Sequence, residues 1–162
     1  MEYRTARDPD ALLKTLSEHE QAIARLYRAY STRFDDGTNF WADLAREELK
    51  HAACLNKIRT LLQEDSAMVI VERFSIDAVQ FSINYVNGLT DRAAEPDFEL
   101  INALSLAMKL EEALLEKNFF EILSGDGQEI QETLEFLSTE TERHFQMLHN
   151  TLKGHKNSIE PQ

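Results

Sequence analysis

The sequence predicts an all-α protein built on a four-helix bundle, and three observations carry that expectation. Only five Gly and three Pro occur in 162 residues, while Leu, Ala and Glu, which lose little freedom in a helix, are plentiful. Apolar residues recur at steps of three and four in four separate stretches, as the buried face of a helix requires. Two short Asp- and Gly-containing turns and one long irregular segment divide those stretches. With 43% hydrophobic residues, the chain can bury one core but is too short for two ordinary domains. Residues 1–162 are therefore expected to form a single domain.

Asp8-Pro9 opens the first predicted helix, since Asp can cap free amides and Pro suits the first helical position. Its stripe is Leu12, Leu13, Leu16, Ile23, Tyr27, Tyr30 and Phe34, and it stops at Asp35-Asp36-Gly37. The second begins near Asn39 and carries Phe40, Trp41, Leu44, Ala52, Leu55, Ile58 and Leu62. From Asp65 to Glu95 the periodicity weakens, with β-branched Val69, Ile70 and Val71, so this segment is expected to be a crossover holding a short helix from about Ser75 to Tyr85. Pro96-Asp97 opens the third long helix, with Ile101, Leu104, Met108, Leu115, Phe119 and Ile122 on its stripe and Ser124 to Gly127 at its end. The fourth runs from about Glu129 to Leu152 on Ile130, Leu134, Leu137, Phe145, Leu148 and Leu152. A polar, loose tail is expected from Lys153 to Gln162. Short turns make neighbours antiparallel, whereas a crossover of roughly 30 residues lets the second and third long helices run in the same direction.

The formal net charge of -12 argues against a nucleic-acid partner, because such affinity comes largely from Lys and Arg displacing counterions. The same charge would repel an anionic leaflet, and no apolar run approaches the roughly 20 residues that span a bilayer. Met1-Glu2-Tyr3-Arg4 lacks the basic and then apolar regions of a secretory signal, so a cytoplasmic location is expected. A single Cys, Cys54, provides neither an intrachain disulfide nor a four-thiolate site.

Acidic residues on an apolar stripe need a partner or a metal, because buried charge is costly. Each long helix carries such a residue. Glu20 is in register with Leu16, Ile23 and Tyr27 on the first. Glu48 and His51 form Glu-x-x-His on the second, a spacing that puts both side chains on one face. Glu111 lies between Leu104, Met108 and Leu115 on the third, although adjacent Glu112 also fits the stripe. His144 lies between Leu137 and Leu148 on the fourth, with Glu140 one turn before it. All fall near their helix midpoints, and midpoints meet in antiparallel packing. The resulting oxygen and nitrogen donors suit iron, manganese or zinc.

At Glu20 and Tyr27, at Ala45 to His51 (Ala-Arg-Glu-Glu-Leu-Lys-His), at Glu111 with Phe119, and at His144, the chain resembles the rubrerythrin and ferritin-like di-iron carboxylate proteins. The resemblance covers residues 8 to 152 in architecture and implies a ferritin-like bundle. It implies ligand roles for Glu20, Glu48, His51, Glu111 and His144, with Tyr27 as an aromatic partner behind them. Thr141 departs from that pattern by standing where a second Glu-x-x-His glutamate belongs. Three outcomes stay open: Glu140 replaces the missing ligand, the site holds a single ion, or metal binding is lost.

The blander readings attach to the same residues. Each glutamate taken singly reads as the edge of a solvated face, as do the acidic patches Glu47-Glu48 and Glu140 to Glu142. His19, His149 and His155 read as solvated, Cys54 as a small core residue, and Tyr30, Trp41, Met108 and Met147 as packing.

The resemblance implies a di-iron oxidoreductase acting on peroxide or dioxygen. Lacking the cysteines of a rubredoxin module, it would depend on an external electron donor. Two other functions use the same residues: an iron-handling protein that oxidises ferrous ions, and a metal-free helical interaction module, which Thr141 favours. A homodimer through the crossover helix is also expected.

Overall fold

The first helix, α1, spans Pro9–Arg33, and α2 spans Phe40–Glu64, in a computed structural model that describes residues 9–64, 68–70, 76–116, 123–125 and 127–159. Pro9 occupies a position where its missing N–H costs no hydrogen bond. From Leu12 to Tyr30 the predicted stripe is buried. At the end of α1 the Phe34 amide donates to the Tyr30 carbonyl, after which the Asp35 and Asp36 carboxylates accept from the amides of Gly37 and Thr38. Gly37 (φ 81°) and Asn39 (φ 60°) take left-handed backbone, which Gly adopts freely and Asn tolerates. At the far end Arg59 pairs with Asp10 at 2.9 Å, so α1 and α2 lie antiparallel.

Three more helices follow among the described residues: α3 (Ile76–Arg92), α4 (Leu100–Glu116) and α5 (Gln128–Ile159). The crossover helix is longer than expected, because Val79, Ile83, Val86 and Leu89 continue one buried stripe past Tyr85 and pack on α1. Phe81, on the opposite face, is 76% exposed. Helix α4 starts at Leu100 rather than at Pro96-Asp97. Residues 93–99 form turns, and the Asn102 side chain accepts from the Glu99 amide at 2.9 Å, capping the helix there.

The expected loose tail is helical through Ile159. Leu152 is buried and anchors this last stretch, and Gly154 weakens a helix by only about 1 kcal/mol relative to Ala without breaking it. Phe119 and Ile122, assigned above to the third stripe, lie outside the described residues.

Two short strands were not expected. β1 (Met68–Ile70) pairs antiparallel with β2 (Leu123–Gly125), Val69 opposite Ser124, and so ties the crossover to the connection between α4 and α5. The β-branched residues of β1 suit extended backbone, but its partner lies far along the chain, where local periodicity carries no information about it.

An aromatic cluster closes one end of the core. Tyr30 stacks on Phe98 at 5.7 Å and meets Trp41 edge-on at 4.9 Å, while Tyr27 contacts Trp41 at 5.6 Å. Arg33 donates to the carbonyls of Glu95, Pro96 and Phe98, fixing the end of α1 to the turn before α4. Among the described residues no helix is long and apolar enough to cross a membrane.

Leu55 is fully buried on α2, so Leu55→Ala is expected to lower the unfolding free energy by about 2–5 kcal/mol through lost contacts and an unfilled cavity. Ile159→Ser at the exposed end of α5 is expected to change it by less than about 0.5 kcal/mol. Urea denaturation of both variants checks this contrast.

Candidate metal centre

Four helices bring ionisable side chains to one buried region. Glu20 reaches it from α1, Glu48 and His51 from α2, Glu111 from α4 and His144 from α5, and each is at most 2% exposed. The helical period explains the grouping: each residue sits on the same stripe as the apolar side chains around it, so burying the stripe buries the ligand atom. Of the two candidates on α4, Glu111 points inward and Glu112 is half-buried.

Glu48 occupies the middle. Its Oε2 lies 3.2 Å from His51 Nδ1, and its Oε1 lies 2.7 Å from His144 Nδ1. Glu111 Oε1 is 3.6 Å from the same His144 nitrogen and accepts a hydrogen bond from the Tyr27 hydroxyl at 2.7 Å. The two imidazoles stack with centroids 5.1 Å apart and planes 25° apart. Ligand atoms of Glu48, His51 and His144 all lie within 4.8 Å of one another, a spread compatible with a single cation among them.

Glu140 is placed differently. It lies at the rim, where Arg143 holds its carboxylate at 2.7 Å, and its Oε2 is 4.0 Å from His51 Nε2. Thr141 is buried, and its hydroxyl donates to the Leu137 carbonyl one turn back. It therefore points no charge at the centre. Glu47 and Arg143, on solvated flanks by periodicity alone, stand behind His144: Glu47 Oε2 is 2.7 Å from His144 Nε2 and 2.6 Å from Arg143. No local sequence signal marks this pair, which depends on how α2 meets α5.

Two expectations outside the centre change, those for His19 and Phe145. His19 is buried and bonded to Ser82 Oγ at 2.8 Å, bridging α1 to α3 rather than facing solvent. Cys54 is half-buried, and burial pushes its thiol above the usual range, so it offers no thiolate. Phe145 is half-buried and stacks on exposed His149 rather than entering the core.

The fit of a cation rests on atoms that make no hydrogen bond. Among the described residues, the buried side-chain polar atoms without a hydrogen bond are Glu20 Oε2, Glu48 Oε1, His51 Nε2, His144 Nδ1 and the Tyr30 hydroxyl. All but the last belong to the proposed ligands. Glu48 Oε1 and His144 Nδ1 approach to 2.7 Å without the alignment of a hydrogen bond. Unpartnered buried polar atoms cost about 1–3 kcal/mol each, and a divalent cation would offset several together. Carboxylate oxygen with imidazole nitrogen, and no thiolate, matches iron, manganese or zinc.

Without a cation, protons take its place. Burial, then the nearby charge of Glu48, holds the Glu20 carboxyl well above its usual range. Burial and the Glu111 charge push Glu48 up to about 7, against the opposing pull of His144. Burial disfavours a charged His144, but the adjoining carboxylates of Glu111 and Glu48 outweigh it and push its pKa up to about 11. His51 goes the other way, lowered chiefly by burial.

Groups with raised folded pKa values stabilise fully below their unfolded values and lose that contribution as pH climbs through the folded ones. Glu20, Glu48 and His144 all have this sign. The lowered His51 has the opposite sign, but its effect ends near its unfolded value of 6.5. Chelator-treated protein should therefore lose stability between about pH 6.5 and about pH 8.5, as read from urea midpoints. Rising stability across that window would contradict the assignment.

No protein-family model matches the chain, and no curated protein or solved structure is significantly similar to it.

Proposed function

We propose that this chain is a non-haem metal protein of the rubrerythrin type, with iron as its preferred ion, that reacts with peroxide or dioxygen using electrons from an external donor. The observation that carries the proposal is the grouping of buried ligand atoms of Glu48, His51 and His144 within 4.8 Å of one another, with Glu20 and Glu111 buried beside them from two further helices. A structural bundle has no use for that arrangement, because apolar residues of similar volume would hold the same helices together at lower cost.

The architecture supports the same reading. Asp10 with Arg59 makes α1 antiparallel to α2, and Tyr27 with Glu111 plus Arg33 with residues 95–98 makes α1 antiparallel to α4. Helices α2 and α4 then run in the same direction, joined by a crossover that contains α3, as a ferritin-like bundle requires. Exposed Phe81 and Tyr85 sit one turn apart on α3, which supports a homodimer built on that helix. The absence of a membrane-spanning helix among the described residues is compatible with a cytoplasmic setting.

Bound iron would supply the redox change. Reducing one hydrogen peroxide to two waters consumes two electrons and two protons, and the electrons come from the donor. The chain's own residues would hold the ion: Glu20, Glu48, Glu111, His51 and His144 would bind it, and the Tyr27 hydroxyl fixes Glu111. Apolar neighbours such as Ile23 and Leu104, both fully buried, exclude bulk water, which strengthens the electrostatic interactions inside.

Thr141 and the withdrawn Glu140 leave fewer carboxylates than a symmetric two-ion site uses. One tight ferrous ion per chain is therefore expected in anaerobic titration, and Thr141→Glu is expected to add a second. Iron-loaded protein should consume peroxide with an artificial donor faster than free iron does. Ferrous oxidation without peroxide turnover would favour an iron-handling role, and no iron uptake at all would leave a metal-free interaction module.

A further inference from the structure

His144 is fully buried, and its two ring nitrogens meet different surroundings. Nε2 makes a 2.7 Å hydrogen bond with Glu47 Oε2. Nδ1 faces Glu48 and Glu111 and has no hydrogen-bond partner. An ionised carboxylate only accepts, so the proton of that bond belongs to Nε2. When a cation replaces the second imidazole proton, the Nδ1 lone pair is the one that faces the centre.

Glu47 is itself fixed. Arg143 Nη2 lies 2.6 Å from the same Oε2 and 2.7 Å from Glu140 Oε2. A guanidinium stays charged at every working pH, so it competes permanently for both carboxylates. His144 and Arg143 both come from α5, whereas Glu47 comes from α2, one residue before Glu48. The helix that supplies the central carboxylate thus also supplies the group that aims the opposing imidazole.

We infer that Glu47, clamped by Arg143, is a positioning residue that fixes the Nε2–H tautomer of His144 and turns Nδ1 toward the metal, while Arg143 keeps Glu140 out of the ligand set. This rests on the metal-centre reading and adds to it a residue that touches the ion only through His144. Ligating imidazoles commonly donate their second N–H to a carboxylate, and loss of that partner typically weakens metal affinity 10–100-fold.

Zinc is a suitable probe because it is diamagnetic. Zinc affinity is measured by competition with a chromophoric chelator for the unmodified protein, Glu47→Ala and Glu47→Gln, and nitrogen NMR of histidine-labelled, zinc-loaded protein reads the tautomer. Glu47→Ala is expected to weaken zinc binding roughly 10–100-fold and to mix the His144 tautomers. Glu47→Gln should recover part of the affinity, because its amide oxygen still accepts from Nε2–H. Zinc affinity of Glu47→Ala within about twofold of the unmodified protein, or a His144 proton on Nδ1 in the zinc-loaded unmodified protein, overturns the inference. The second reading decides even where Glu47→Ala does not fold. Failure of the unmodified protein to bind zinc or iron overturns the metal centre, and this inference with it.

Discussion

The constraint on which the rest of the structure depends is the burial of three carboxylates and two imidazoles in one region of an otherwise apolar interior. Glu20, Glu48 and Glu111 cannot all be ionised there without a counter-charge. His144 answers part of the demand by carrying a proton, and Glu20 answers another part by keeping one. These are substitutes for a cation. They still leave donor atoms unpartnered, each costing about 1–3 kcal/mol, in a class of domain whose whole net stability is about 5–15 kcal/mol. The ion proposed for this centre would offset that cost.

The scaffold holds that arrangement through contacts on either side of it. On one side Tyr30, Trp41 and Phe98 interlock, and Arg33 ties α1 to the turn that launches α4. On the other, Arg59 with Asp10 and Lys57 with Glu129 connect α2 to α1 and to α5. Exposed ion pairs of this kind add little energy, and the buried stripes do most of the holding. Together they set the axial register, and register decides whether Glu48 meets His144 or misses it by a turn. The hydrogen bond from Tyr27 to Glu111 reaches from this scaffold directly into the centre.

The stripes and the inward-facing candidate ligands were legible because both follow from one local rule. A glutamate three or four residues from buried leucines is buried with them, which identified Glu20, Glu48, His51 and His144 without any knowledge of their neighbours. The choice between Glu111 and Glu112 needed the actual rotation of α4. The β1–β2 pairing, the burial of His19 against Ser82 and the hold of Arg143 on Glu140 depend on residues distant in sequence, so periodicity was silent about them. The helical end of α5 was missed for a different reason: polar composition resembles a loose tail, but Leu152 anchors the segment and no strong breaker follows.

Glu140 shows how a small change in partner alters the meaning of a residue. By sequence it was the natural replacement for the carboxylate missing at Thr141. Arg143, three residues on, holds it at the rim instead, which leaves the centre asymmetric and poorer in negative charge. Whether the centre holds an ion decides the role of every residue around it. Elemental analysis of protein purified without chelators tests this most directly: close to one transition-metal ion per chain is expected, released on substitution of Glu48 and His51 together. A folded protein that purifies free of metal and takes up none on addition of ferrous iron, manganese or zinc would contradict it.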